Sequence, residues 1–186
     1  DLLRRLAAEP HRFGFFAAVR LLENAHPGLP RVGTSLRLRD DPFRFAQSPS
    51  LSFAPATIAR FVPSEGDRPP TLHQRFFGLF GANGPLPLHL TEYARERSRR
   101  TPSDRALVRF LDMFHHRMLS LLYRAGAEAS PAVSMDRPDN DPFSRWVASV
   151  AGYGQPTLMG RDSVPDGARL AASGILGRAV HGAEGL

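Results

Sequence analysis

Hydrophobic residues along this chain recur first at helical spacing, then at every second position, then at helical spacing again. From Arg12 to Ala25, Phe13, Phe16, Ala17, Arg20, Leu21 and Asn24 share one side of a helix, and Phe15, Val19 and Leu22 widen its apolar arc. Pro27 disfavours a helical residue before it and Gly28 permits a turn, so His26-Pro27-Gly28 ends the element. Glu9-Pro10 marks a break after a short leader helix. Between Val32 and Val62 the period becomes two. Leu36 and Leu38 alternate with Ser35, Arg37 and Arg39, Phe43 and Phe45 flank Arg44, and Leu51 and Phe53 alternate with Ser50 and Ser52. Such alternation buries one face of a strand and wets the other. Asp40-Asp41-Pro42 and Ser48-Pro49 supply the turns of a small antiparallel sheet.

After the polar loop Ser64–Pro70, another strand is expected within Thr71–Leu79, ahead of the turn Gly81-Ala82-Asn83-Gly84-Pro85. A helix then runs from about Leu88 to about Arg99. Thr101-Pro102-Ser103-Asp104 is a complete helix start, with Thr as N-cap, Pro at the first helical position and an acid at the third. In the long helix that follows, Leu107, Phe110, Leu111, Phe114, Met118, Leu121, Leu122 and Ala125 fall within an arc of about 120° and are expected to be mostly core. Arg105, Arg109, Asp112 and His116 lie opposite, and Gly126 ends the helix. Asp139-Asn140-Asp141-Pro142 caps a helix carrying Phe143, Trp146, Val147 and Val150. A last helix follows Val164-Pro165-Asp166 and carries Leu170, Ile175 and Leu176, with glycines at 174, 177, 182 and 185 obscuring its end. These elements predict an α+β fold, mainly helical, with a small antiparallel β-sheet inserted after the first helix. Residues 1–30 are expected to form the N-terminal helix, 31–80 the sheet region and 81–186 the helical region of a single compact unit.

Composition narrows the function. At 186 residues, 42% hydrophobic and 23% charged, the chain is that of a globular protein. No apolar run approaches the roughly 20 residues of a membrane span, and no apolar stretch of a signal peptide follows Asp1-Leu2-Leu3-Arg4-Arg5. The absence of cysteine excludes disulfides, thiolate chemistry and Cys-based zinc sites, and makes the cytoplasm the default compartment. The net charge of +6 and pI near 11.0 raise an Arg-rich nucleic-acid-binding role as the alternative function. All 24 basic residues are Arg, however, and the abundance of Ala, Gly and Pro fits a GC-rich genome that replaces Lys by Arg.

The motifs offer little chemistry. Gly78, Gly81 and Gly84 form neither a dinucleotide nor a P-loop fingerprint, and suit turns. Asp112 and His115 could supply two metal ligands, but His115 and His116 project 100° apart and no second carboxylate–His pair occurs; a structural hydrogen bond fits better. His89, Thr91 and Glu92 suit a helix start rather than a triad. Arg95, Arg97, Arg99 and Arg100 form a basic run diluted by Glu92 and Glu96, as a solvated or partner-facing surface or as phosphate contacts. Phe76, Phe77, Phe80, Pro85 and Pro87 crowd a short segment next to a turn, either as core or as aromatic anchors of a subunit interface.

Taken together and in this order, FFAAVRLLENAHP (Phe15–Pro27), RFAQSPSLSFAP (Arg44–Pro55), FFGLFGANGPLPLHLTEYARER (Phe76–Arg97) and RFLDMFHHRMLSLLYRA (Arg109–Ala125) resemble TssG, the ImpH/VasB family of type VI secretion baseplate subunits. GLFGANGPLPLHLTEY is the specific string. The resemblance covers most of residues 10–186 and implies an N-terminal portion of a longer protein. It implies a non-enzymatic structural subunit without cofactor or metal. Such a subunit joins two copies of a TssF-like partner, TssK-like trimers and other baseplate and spike components in wedges, the assembly platform for the contractile tail. The expected location is cytoplasmic, docked at the inner-membrane face of the apparatus, with no insertion into the membrane and no nucleic acid bound. Phe76, Phe77, Phe80, Pro85 and Pro87, with the stripe Arg105, Arg109, Asp112 and His116, are the candidate interface.

Overall fold

Proline and glycine punctuate the elements. A computed structural model describes residues 2–100 and 104–176. The chain divides into two compact units, Asp1–Gly126 and Ala127–Leu186. In the first, α1 (Leu2–Ala8) ends before Pro10, and a 3-10 turn leads to α2 (Phe15–Asn24). The short strands β1 (Arg44–Gln47), β2 (Ile58–Val62) and β3 (Thr71–Gln74) follow, then α3 (Leu88–Arg100) and the long α4 (Ala106–Glu128), which runs through Gly126 rather than ending there. The fold is α+β, as the pattern predicts. The start signal Thr101-Pro102-Ser103 lies outside the described residues; α4 opens only at Ala106, so Asp104, expected inside the first turn, precedes the helix and pairs with Arg97 instead.

The sheet is mixed rather than antiparallel. Its order is β1-β3-β2: β3 pairs parallel with β1, Phe45 opposite Leu72, and antiparallel with β2, Phe61 opposite Leu72. Alternation in the sequence reports which face of a strand is buried, not which neighbour it pairs with, so the parallel partner was invisible to it. Two expected strands do not form. Ser35–Leu38 is irregular backbone leading into a 3-10 turn, and Leu36 is 99% exposed; Leu51 and Phe53 also lie outside any strand. An alternating segment without a partner for its ladder leaves backbone groups to water and gains nothing from an extended conformation.

Both sheet edges are covered, which leaves no open ladder for another chain to extend. On the β2 side, α1 and the Pro10–Arg12 turn pack against the strand. On the β1 side, Arg44 and Ser48 donate their N–H groups to Pro70 and Gln74 of the β3 side, so the N–H groups of Phe45 and Gln47 point outward. Side chains from α4 accept both: His116 Nδ1 takes Phe45 N–H at 3.1 Å and Asp112 Oδ1 takes Gln47 N–H at 2.9 Å. The core between these layers holds Leu6, Phe15, Val19, Leu22, Phe43, Phe45, Ile58, Leu72, Leu119 and Tyr123. Phe80, Ala94 and Val108 form a second buried cluster under Leu86, Leu107 and Leu111.

In the second unit, α5 (Pro131–Met135), α6 (Pro142–Val150), α7 (Asp166–Ala171) and α8 (Ser173–Leu176) are short. Asp141 caps α6, as expected, by accepting Ser144 N–H at 3.0 Å. Burial would raise its pKa, yet hydrogen bonds from Ser134 and Ser144 outweigh that and hold the carboxyl below its ordinary value. The helix expected after Pro165 is interrupted at Ala172 into α7 and α8, and its end lies outside the described residues.

Candidate interaction site

The Phe- and Gly-rich segment between β3 and α3 has no regular secondary structure, so its backbone must find partners elsewhere. Two glutamines supply them. Gln47, at the end of β1, accepts Phe80 N–H at 2.9 Å through Oε1 and donates Nε2 to Phe80 O at 2.8 Å. Gln74, at the end of β3, accepts Phe77 N–H at 2.9 Å and donates to Phe77 O. A carboxamide offers one acceptor and one donor side by side, the same pair a neighbouring strand would offer. Leu79 N–H goes to His115 Nε2 at 3.0 Å and Gly81 N–H to Thr91 Oγ1 at 3.1 Å. Gly78 has φ +136°, and a Cβ there would sit 2.4 Å from Gln47 Oε1 and 2.9 Å from His115 Nε2. Only glycine lets the backbone approach the clamp this closely.

The hydrogen bonds fix opposite tautomers on the two adjacent histidines of α4. His115 accepts Leu79 N–H at Nε2, so its proton is on Nδ1, which donates to Asp112 Oδ1 at 3.0 Å. His116 accepts Phe45 N–H at Nδ1, so its proton is on Nε2, which donates to Asp41 Oδ2 at 2.8 Å. Burial lowers the His116 pKa, and Asp41 only partly offsets this. The imidazole is therefore neutral, as accepting a backbone N–H requires. Two turns further on, Tyr123 donates to Glu23 Oε2 at 3.2 Å, and Glu23 Oε1 accepts Val32 N–H at 2.8 Å. These buried polar groups tie α4 to α2, the sheet and the Phe segment.

This anchoring turns α4 over relative to the expected orientation. Its buried residues are Val108, His115, His116, Leu119, Ser120 and Tyr123. The arc expected to be mostly core is half-buried at Leu107, Leu111 and Leu122 and exposed at Phe110, Phe114, Met118, Leu121 and Ala125. With Met113, the large side chains of this outer face are 42–53% exposed. The Phe110 and Phe114 rings meet edge to face at 5.4 Å. Hydrophobicity alone gave the wrong face because the polar residues on the other side have backbone partners waiting on β1 and the Phe segment.

The candidate interface residues thus fall in different places. Phe80 is 2% exposed and belongs to the core, whereas Phe76 is 40% exposed, its ring 5.0 Å from that of Phe15. Phe77 is half-buried, and Pro85 and Pro87 are exposed. Asp112 and His116 turn inward, while Arg105 and Arg109 line a groove over the sheet, separate from the Phe segment. The sequence carries no signal for Asp41, Gln47 or Gln74: Asp41 has the signature of a turn residue, and no pattern distinguishes a clamping glutamine from a solvated one.

Among the described residues no group of three or more His, Asp or Glu is arranged to hold a metal ion, and no helix is long and apolar enough to cross a membrane. No curated protein and no solved structure matches the chain. The family model described as "Type VI secretion, TssG" matches residues 9–186, and the chain therefore belongs to the TssG family of type VI secretion baseplate subunits.

Proposed function

We propose that this chain is a non-enzymatic structural subunit of the baseplate wedge, acting in the cytoplasm at the inner-membrane face of the secretion apparatus. Its partners are two copies of a TssF-like subunit, TssK-like trimers and other baseplate and spike components. One observation carries the reading. The buried histidines, carboxylates and carboxamides are all committed to the chain's own backbone, while Phe110, Met113, Phe114, Met118 and Leu121 stand on the outer face of its longest helix. Large exposed apolar side chains at i, i+3 and i+4 spacing are the usual mark of a helix that docks into a partner. Phe76, Pro85 and Pro87 offer a second exposed patch.

The test is co-purification with a TssF-like partner. Phe110→Ser combined with Phe114→Ser should abolish capture while leaving the urea midpoint of the isolated chain unchanged. Wild-type capture by the folded double variant would remove α4 from the interface. Phe76→Ser probes the second patch in the same way, whereas Phe80→Ser would unfold its own cluster and report nothing about binding.

A further inference from the structure

A groove of about 730 Å³ lies over the sheet in the first unit, between the C-terminal end of α3 and the N-terminal half of α4. Arg44 and Arg60 rise from its floor, Arg68 from the loop before β3, Arg95 and Arg99 from α3, and Arg105 and Arg109 from α4. Against these seven guanidiniums stand two carboxylates, Glu65 and Asp112. Asp112 is already occupied by Gln47 N–H and His115. None of the seven makes a salt bridge among the described residues; of the two acids on α3, Glu96 is ion-paired with Arg100 at 2.5 Å and Glu92 does not line the groove. Arg105 Nε is buried and has no hydrogen-bond partner among the described residues.

The groove's own side chains register the accumulated charge. Burial, Arg60 and Arg105 together lower the His73 pKa to about 4, despite the opposing pull of Asp112. His73 is thus neutral, and since arginine can only donate, its Nε2 accepts from Arg60 Nη2 at 3.3 Å. Burial and the nearby Arg105 also lower the Arg60 pKa. Crowding seven cations against two carboxylates raises the free energy of the groove, and a buried guanidinium N–H lacking an acceptor adds to it. An anionic occupant relieves both.

We infer that this groove receives an acidic segment of a partner protein, its Asp and Glu side chains paired with Arg60, Arg95, Arg99, Arg105 and Arg109. This rests on the baseplate reading above and adds the chemistry of the partner. A carboxylate-bearing peptide fits better than nucleic acid. The guanidiniums alternate with apolar walls, Val62, Pro63, Pro69, Val108 and Met113, against which a peptide's aliphatic carbons can pack. The aromatic residue in the lining, Phe45, is buried in the core and offers no face for a base to stack on. Met113 belongs both to the groove and to the outer apolar face of α4, so one partner element can engage the two. Paired Arg–carboxylate contacts give this geometric specificity together with charge.

The experiment uses the whole chain and three labelled probes: a hepta-glutamate peptide, tripolyphosphate and a 12-nucleotide single strand. The peptide should bind at low ionic strength and weaken steeply with salt. The combined Arg95→Glu, Arg99→Glu and Arg109→Glu variant, altered only at exposed positions, should lose at least tenfold in peptide affinity with an unchanged urea midpoint. Absence of peptide binding, equal binding by the variant, or tighter binding of tripolyphosphate or the oligonucleotide would each overturn the inference. Capture of a TssF-like partner separates this from the baseplate reading. Loss in the groove variant supports the groove. Loss in the Phe110→Ser, Phe114→Ser variant with wild-type capture by the groove variant keeps the subunit role and discards the groove as the contact.

Discussion

Gly78→Ala should be among the most damaging single-methyl additions in the first unit. Three effects act together at this position. The backbone has φ +136°, which costs an L-residue on the order of 1–2 kcal/mol. The new Cβ would meet Gln47 Oε1 at 2.4 Å and Cδ at 2.6 Å, distances that cannot persist. Moving the Gln47 carboxamide away strands Phe80 N–H and C=O, both buried, at about 1–3 kcal/mol each. The expected loss is therefore roughly 4 kcal/mol, a fall in the urea midpoint of roughly 2 M at a typical slope for a small domain. Far-UV circular dichroism against urea gives the total, and hydrogen exchange at the Phe80 amide locates it. Two other glycines calibrate the result. Gly81→Ala carries a comparable positive φ of +101°, but its Cβ meets only Ser50 O at 3.3 Å, so strain without the clamp should cost less than half as much. Gly28→Ala meets nothing within 4 Å and should be near neutral. If Gly78→Ala proved no worse than Gly28→Ala, the clamp would not be holding this segment.

Further outcomes follow from the same geometry. His73 has a folded pKa of about 4 against 6.5 for the unfolded chain. The unfolded state thus takes up the proton first, and stability present above pH 6.5 is lost as the pH falls towards 4. The loss is about 2 kcal/mol by pH 5, and His73→Gln should flatten this part of a urea-midpoint profile. Leu119→Ala on the buried side of α4 should cost about 2–5 kcal/mol, whereas Phe114→Ala on the outer side should cost less than about 1 kcal/mol; the reverse ranking in thermal melts would restore the orientation expected from hydrophobicity. Asp141→Ala should remove about 1–2 kcal/mol from the second unit, read by Trp146 fluorescence in α6, with Asp141→Asn retaining most of the cap.

The sequence by itself determined roughly where most of the longer helices lie. Prolines and glycines at Pro10, Pro27-Gly28 and Asp141-Pro142 act within a few residues on backbone dihedrals and caps, so α2 and α6 were legible without a fold, as α4 was from its helical periodicity. The turn at Gly78–Gly81 was legible for the same local reason, since positive φ at Gly78 and Gly81 favours glycine. Only the tertiary structure decided which way these elements face. Apolar residues occur on both sides of α4, and the choice between them rests on Asp112, His115 and His116, whose burial is acceptable only because Phe45, Gln47 and Leu79 present N–H groups there. It likewise decided that β1 pairs parallel with β3, and that Gln47 and Gln74 stand in for missing strands. Local periodicity measures what a residue loses in water. Whether a polar side chain can be buried depends on a partner that the chain brings up from as many as 100 positions away, as Glu23 is for Tyr123.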